Sequence, residues 1–124
     1  MQMNEISFAA RPPLDSYGEG GFSLGGVRHV GSLALLPTRM EDWAAKAPGE
    51  VTAEALAPFI EAAGEIDVLL IGMGGDIAFP APGAREALEA AGIGFDLMST
   101  AAACRTYNVL LAEDRRVAAA LIAV

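Results

Sequence analysis

The sequence predicts a layered α/β fold in a single domain spanning residues 1–124, and three observations support this prediction. A chain of 124 residues has room for one hydrophobic core. The hydrophobic fraction of 53% is high and favours elements that are buried on both faces. From residue 52 onward, strand-like and helix-like patterns alternate, which is typical of parallel strands joined by right-handed crossovers.

The N-terminal third is predicted to be rich in antiparallel strands. Residues 6–8 alternate between apolar and polar side chains as a short strand would, and a proline pair ends that pattern. Another short strand is predicted at residues 22–24, with a tight hairpin turn at Gly25 and Gly26. The following run, residues 27–36, mixes alternation with a wholly apolar end and stops at Pro37, which continues the β-rich pattern.

The next stretch is predicted to be a surface loop followed by a helix. Residues 39–50 form the loop, with Trp43 either packed back on the core or exposed to contact a partner. Thr52 has the position of an N-cap before an apolar face with helical spacing. Pro58 conflicts with that reading, so the helix either kinks there or begins later, and Gly64 ends it in both cases.

The remaining elements follow from apolar runs, caps and helix breakers. Strands are predicted at residues 67–71, 95–98 and 117–122, because these short runs are mostly apolar and bounded by turn residues. Helices are predicted at residues 82–91 and 100–112, where apolar residues recur at helical spacing.

Charge and hydropathy exclude several classes of partner. The net charge of −8 disfavours nucleic acid and anionic membranes, since both bind clustered lysine and arginine. No apolar run approaches the roughly 20 residues that cross a bilayer, so no membrane insertion is expected. The start of the chain lacks the features of a signal peptide, and we therefore expect a soluble, cytoplasmic protein.

Metal and cofactor chemistry finds little support in the sequence. Cys104 is the only cysteine and His29 the only histidine, so neither a disulfide nor a Cys/His zinc site can be assembled from them. No metal and no cofactor is therefore predicted. His29 itself is favoured as a surface or capped residue over a catalytic base.

A glycine-rich turn after the strand at 67–71 is the first candidate site. Gly72, Gly74, Gly75 and Asp76 lie where a parallel sheet places its ligand crevice, and their backbone amides have room to hold an anion. The spacing lacks the other residues of a phosphate-binding loop, so a simple strand-exit turn is the favoured interpretation.

The start of the last helix is the second candidate. Ser99 and Thr100 are expected to cap the helix, with anion binding as the alternative. Arg105 lies beside Cys104, an arrangement that can activate a thiol, although an inert buried cysteine is favoured. Asn108 is unusual in mid-helix and is expected to bond to a neighbouring loop.

Five segments resemble a family of unknown function that includes mitochondrial respiratory complex I assembly factor 3. They are Tyr17-Gly-Glu-Gly-Gly-Phe, Gly26-Val-Arg-His-Val-Gly-Ser, Ile66-Asp-Val-Leu-Leu-Ile-Gly-Met-Gly, and residues 87–93 and 100–124. The resemblance implies a three-layer α/β domain with a mixed central sheet, flanking helices and an added N-terminal antiparallel β layer.

Two hypotheses of function follow. The leading one, implied by the resemblance and favoured by the lack of a catalytic set, is a non-enzymatic assembly or scaffolding factor that binds a protein through a face including Trp43. The alternative is a small-ligand binder or enzyme whose anion pocket combines Gly72 to Asp76, Ser99 with Thr100, and Arg105. The alternative requires these three segments to converge on one cavity. The sequence assigns no oligomeric state.

Overall fold

The computed structural model describes residues 12–124, which contain eight strands and three α-helices. The strands are β1 (Leu14–Gly18), β2 (Gly21–Leu24), β3 (Val27–Val30), β4 (Leu33–Leu35), β5 (Met40–Asp42), β6 (Val68–Gly72), β7 (Phe95–Met98) and β8 (Val117–Leu121). The helices are α1 (Ala57–Glu61), α2 (Ala84–Ala90) and α3 (Thr100–Ala112), with short 3-10 turns at Pro48–Glu50 and Ala63–Glu65. The strand predicted at residues 6–8 lies outside the described residues.

A mixed sheet of five strands forms the centre of the fold, in the order β5-β4-β8-β6-β7. The three strands β8, β6 and β7 are parallel, whereas β4 pairs antiparallel with both β5 and β8. Strand β8 is buried along its whole length. That burial explains its unbroken apolar sequence, because both faces of the central strand meet a core.

Two cores cover the two faces of this sheet, so the predicted three-layer architecture is confirmed. On one face, Leu69, Ile71 and Ala118 pack against α1, α2 and the segment that contains Trp43. On the other face, Leu70 and Ala119 pack against α3 and the small β1-β2-β3 sheet, with Phe22, Leu24, Ala103 and Tyr107 among the residues that pack there.

The small antiparallel sheet confirms the predicted N-terminal β layer. Leu24 pairs with Val27 across a two-residue turn in which Gly25 has φ 56° and Gly26 has φ 82°. Positive φ at both central residues is the type I′ geometry that glycine favours. The hairpin predicted at these glycines is therefore confirmed.

The β-rich run of residues 27–36 is divided between the two sheets. The chain leaves the small sheet after Val30 and enters the central sheet at Leu33, where it forms β4. Gly31, with φ 95°, provides the change of direction between the two sheets. Residues 39–50 differ from the predicted loop, since Met40–Asp42 forms the edge strand β5.

The burial of Trp43 corrects the expectation that this side chain is exposed to a partner. Only 5% of Trp43 is exposed, and its ring meets that of Phe59 edge to face at 6.4 Å between centroids. The indole N–H donates a hydrogen bond of 2.8 Å to the carbonyl of Ala55. Trp43 is thus a core residue, because the chain's own residues 55–59 cover it.

The helix after Thr52 begins later than its cap, which was one of the two outcomes predicted. Thr52 Oγ1 accepts a hydrogen bond from Ala55 N–H, but the α-helical residues begin only at Ala57. Pro58 therefore lies in the first helical turn, where its missing N–H leaves no bond unmade. Helix α3 and strand β7 have the predicted bounds, and α2, β6 and β8 differ by one or two residues.

Candidate functional site

The parallel strands end together at one edge of the central sheet, which we call the carboxyl edge. Gly72 of β6 pairs with Met98 of β7 on one side and with Leu121 of β8 on the other. Helix α3 begins two residues after Met98, so Ser99 and Thr100 lie at the same edge. The strand-exit glycines and the helix cap are therefore neighbours, as strand order and helix direction predict.

Thr100 joins the ends of β6 and β8 through its hydroxyl group. The residue is fully buried, and its Oγ1 accepts from Gly74 N–H at 3.0 Å and donates to Ile122 C=O at 2.7 Å. Its own N–H donates to Gly74 C=O at 2.8 Å. The hydroxyl group thus holds the edge together and is not available to a ligand.

Gly72 is required where β6 passes this threonine. A Cβ atom added at Gly72 would lie 2.9 Å from Thr100 Cα, closer than real Cβ contacts. Ser99 caps α3, because its Oγ accepts a hydrogen bond of 3.2 Å from Ala102 N–H. The capping role predicted for Ser99 is confirmed.

An open groove of about 390 Å³ lies beyond these strand ends. Gly74, Gly75 and Asp76 line one part of it, and Lys46 and Val124 line another. Asp76 Oδ1 accepts a hydrogen bond of 2.8 Å from the next residue's N–H, a local turn interaction that leaves the carboxylate exposed. Three residues of the predicted pocket therefore line this groove.

Two large apolar side chains are exposed beside this groove, on the segment of residues 75–81 that we call the exit loop. Ile77 is 63% exposed and Phe79 is 80% exposed. The segment is anchored at both ends, because Gly74 bonds to Thr100 and Ala81 N–H donates to Val51 C=O at 3.0 Å. Neither residue was predicted from the sequence as part of a site. The pattern that could have indicated their exposure is an apolar pair within a loop bounded by Gly75 and Pro82.

Arg105 lies in a different groove, of about 200 Å³, between α3 and β1. Its neighbours there include Asp15, Tyr17, Cys104 and Asn108. The structure therefore divides the residues of the predicted pocket between two surfaces.

Two other residues of α3, Cys104 and Asn108, have surroundings that suit a role in the fold. Burial raises the pKa of the Cys104 thiol to about 12, with a smaller opposing effect of Arg105, so the thiol is neutral at physiological pH. Asn108 accepts from Leu14 N–H at 2.8 Å and donates to Leu14 C=O at 2.9 Å. This pair of bonds closes part of the edge of β1 and confirms that Asn108 satisfies a neighbouring backbone.

His29 connects the two sheets. Its Nε2 is 3.1 Å from Asp42 Oδ1 and 3.2 Å from the carbonyl oxygen of Ser32. Within residues 12–124, no group of three or more His, Cys, Asp and Glu side chains could hold a metal ion. None of the described helices has the length and apolar character needed to cross a membrane.

Comparisons with known proteins give a family and several relatives. A sequence profile described as a protein of unknown function, DUF498/DUF598, matches residues 14–122. An uncharacterized protein from Rhodobacter capsulatus is 42% identical over 122 residues, which cover 98% of this chain and 93% of that protein. A crystal structure described as an outer membrane protein from Bartonella henselae is 42% identical, with a TM-score of 0.86 over 92% of this chain and 96% of that chain.

A more distant relative carries a functional name. Human NADH dehydrogenase (ubiquinone) 1 alpha subcomplex assembly factor 3 is 30% identical over 109 residues, which cover 88% of this chain. The chain spans only 59% of the length of that assembly factor.

Proposed function

The chain belongs to the DUF498/DUF598 protein family of unknown function, and we propose that it is a non-enzymatic assembly or scaffolding factor that binds another protein at its carboxyl edge. The name of the human assembly factor, 30% identical over 109 residues, supports a role in protein assembly. The structural support comes from the exit loop.

The observation that carries the proposal is the exposure of Phe79. With 80% of this ring exposed and 63% of Ile77 exposed two residues away, the exit loop presents apolar surface that folding leaves uncovered. Hydrogen bonds at both ends of the segment hold it in place, so the two side chains are presented at a fixed site. Exposed apolar side chains with polar surroundings are typical of protein interaction sites, and aromatic residues are frequent among their energetic centres.

The hydroxyl and thiol groups near the start of α3 also favour a binding role over an enzymatic one. Thr100 is fully buried and bonded to backbone on both sides of its hydroxyl group, and Cys104 has a neutral, buried thiol. A nucleophile needs a neighbouring base or a lowered pKa, and neither group has one.

Affinity capture from cells tests this function. The native protein, an Ile77→Ser/Phe79→Ser double variant and a Val109→Ser control are each tagged and used to capture partners, which are quantified by mass spectrometry. Val109 is a matched control because it is 56% exposed but lies on α3. We expect the double variant to lose at least about tenfold of a specific partner that the other two proteins retain.

Two results would count against the proposal. Capture of the same proteins in the same amounts by all three forms would remove the exit loop from any interface. If the double variant loses the partner and also has a lower melting temperature, the loss reflects unfolding and not a missing contact. Thermal unfolding of all three proteins is therefore measured in parallel.

A further inference from the structure

An acidic surface lies beside the exit loop. It is formed by residues 46–54, the exit-loop residue Asp76 and the first turn of α2. Its four carboxylates, those of Glu50, Glu54, Asp76 and Glu86, are exposed and form no salt bridge within the described part of the chain. The same segments contain two cations, Lys46 and Arg85, so this surface is net negative.

Backbone contacts join the acidic surface to the apolar side chains. Ala81, at the end of the exit loop, donates its N–H to the carbonyl of Val51, which directly follows Glu50. Helix α2 begins three residues after Ala81. The exit loop therefore borders the acidic surface at both the 3-10 turn and the start of α2.

The two cations neutralise this surface only in part. Arg85 stacks on β7, with its guanidinium carbon 5.7 Å from the centre of the Phe95 ring. Lys46 lines the groove at the carboxyl edge, and the nearby Glu50 carboxylate accepts a hydrogen bond of 2.8 Å from its backbone N–H. Glu54, Asp76 and Glu86 stay exposed and make no ion pair with the described residues.

We propose that the protein bound at the exit loop supplies a basic amphipathic segment, whose apolar side chains contact Ile77 and Phe79 while its lysines or arginines lie over the acidic surface. This inference rests on the proposed function and adds the chemistry of the partner. Charge complementarity identifies the occupant, because opposite charges at the rim of an apolar contact steer association and exclude wrong partners. An anionic membrane is disfavoured, since the carboxylates of the acidic surface would face phosphate groups of the same sign.

The acidic surface and the apolar side chains of the exit loop are expected to affect different rate constants of binding. Exposed rim charges act mainly on the association rate and are screened by salt over about 8 Å at physiological ionic strength. Apolar anchors that become buried act mainly on the dissociation rate. Substitutions in the two parts are therefore separable by measuring both rates.

The test uses a synthetic peptide with leucine and lysine at the spacing of an amphipathic helix, and a second peptide in which every lysine is replaced by glutamate. Binding to the full chain is followed by fluorescence anisotropy and stopped flow. The variants are Phe79→Ser and Glu54→Lys, and the charge control is Glu113→Lys, an exposed residue at the end of α3 that changes the net charge equally.

We expect the lysine peptide to bind the native protein and the glutamate peptide not to bind. Glu54→Lys should lower the association rate about 3- to 10-fold while Glu113→Lys leaves it nearly unchanged, and Phe79→Ser should raise the dissociation rate about tenfold. Higher salt should weaken binding through the association rate.

Distinct results would overturn the two levels of the proposal. The basic partner is ruled out if Glu54→Lys and Glu113→Lys change the association rate equally, or if the lysine peptide does not bind. In that case the assembly function still stands if partner capture from cells depends on Phe79. If cellular capture does not depend on Phe79, the assembly function at this site fails as well. Binding of phosphatidylglycerol vesicles to the native protein, lost in Phe79→Ser, would overturn the inference in favour of a membrane surface.

Discussion

Replacing Thr100 by valine removes the hydroxyl group that joins the strand ends at the carboxyl edge. Valine has nearly the same shape, so the substitution leaves Gly74 N–H and Ile122 C=O without their hydrogen-bond partner in a fully buried position. An unsatisfied buried backbone group costs about 1–3 kcal/mol. The two together, offset in part by the added apolar burial, should lower the free energy of unfolding by about 2–4 kcal/mol.

Denaturant and thermal unfolding measure this loss. A chain of this size loses about 4 °C of melting temperature per kcal/mol, so Thr100→Val should lower Tm by roughly 8–16 °C. Thr100→Ser keeps the hydroxyl group and should lose only about 1 kcal/mol for the missing methyl group. Thr106→Val is the matched control, because Thr106 is half-buried on the same helix and its side chain makes no hydrogen bond with the described residues.

The reasoning would be refuted if Thr100→Val lost no more stability than Thr100→Ser. That result would mean that the hydroxyl group contributes only its volume. The strand ends would then be held by backbone pairing alone.

Three further perturbations follow from the packing and the charges. Trp43→Ala should lower the free energy of unfolding by about 3–5 kcal/mol in denaturant unfolding, because the indole is core; a change below 1 kcal/mol would contradict this. The Cys104 thiol, with its pKa raised by burial, should resist alkylation at pH 8 in the native state and react at once in denaturant, as mass spectrometry would show; rapid native labelling would be the opposite result. Hydrogen bonds from Arg116 lower the pKa of Asp67 below 3.8, so this residue contributes stability that is present above that pH and lost as pH falls further; acid titration of native and Asp67→Asn proteins should converge at low pH, and parallel curves would argue against the pair.

The elements nearest the carboxyl edge were predictable because their signals are local. Helix α3 begins at a Ser-Thr cap and runs to a charged turn, and β8 is an apolar run with no polar residue on either face. In contrast, β5 has three residues with an exposed aspartate, and only its pairing with β4 makes it a strand. Pairing across the sheet is not visible in a three-residue sequence pattern.

The candidate site was predictable only in part, for a related reason. The meeting of Gly72 with Thr100 follows from the direction of parallel strands, so sequence order was enough to bring them together. The exposure of an apolar side chain does not follow from sequence order. From the sequence alone, an apolar residue is expected to be buried. The exposure of Ile77 and Phe79 and the burial of Trp43 both depend on how residues 43–81 pack over the sheet.

Contact at the exit loop is tested most directly by site-specific photo-crosslinking in cells. A photo-reactive phenylalanine analogue is introduced at Phe79 in one protein and at Val109 in another, since both positions are exposed but lie on different elements. Binding through the exit loop predicts a discrete crosslinked protein from position 79 and none from position 109. Equal crosslinking from both positions, or no protein crosslinked from position 79, would contradict a docking site at the carboxyl edge.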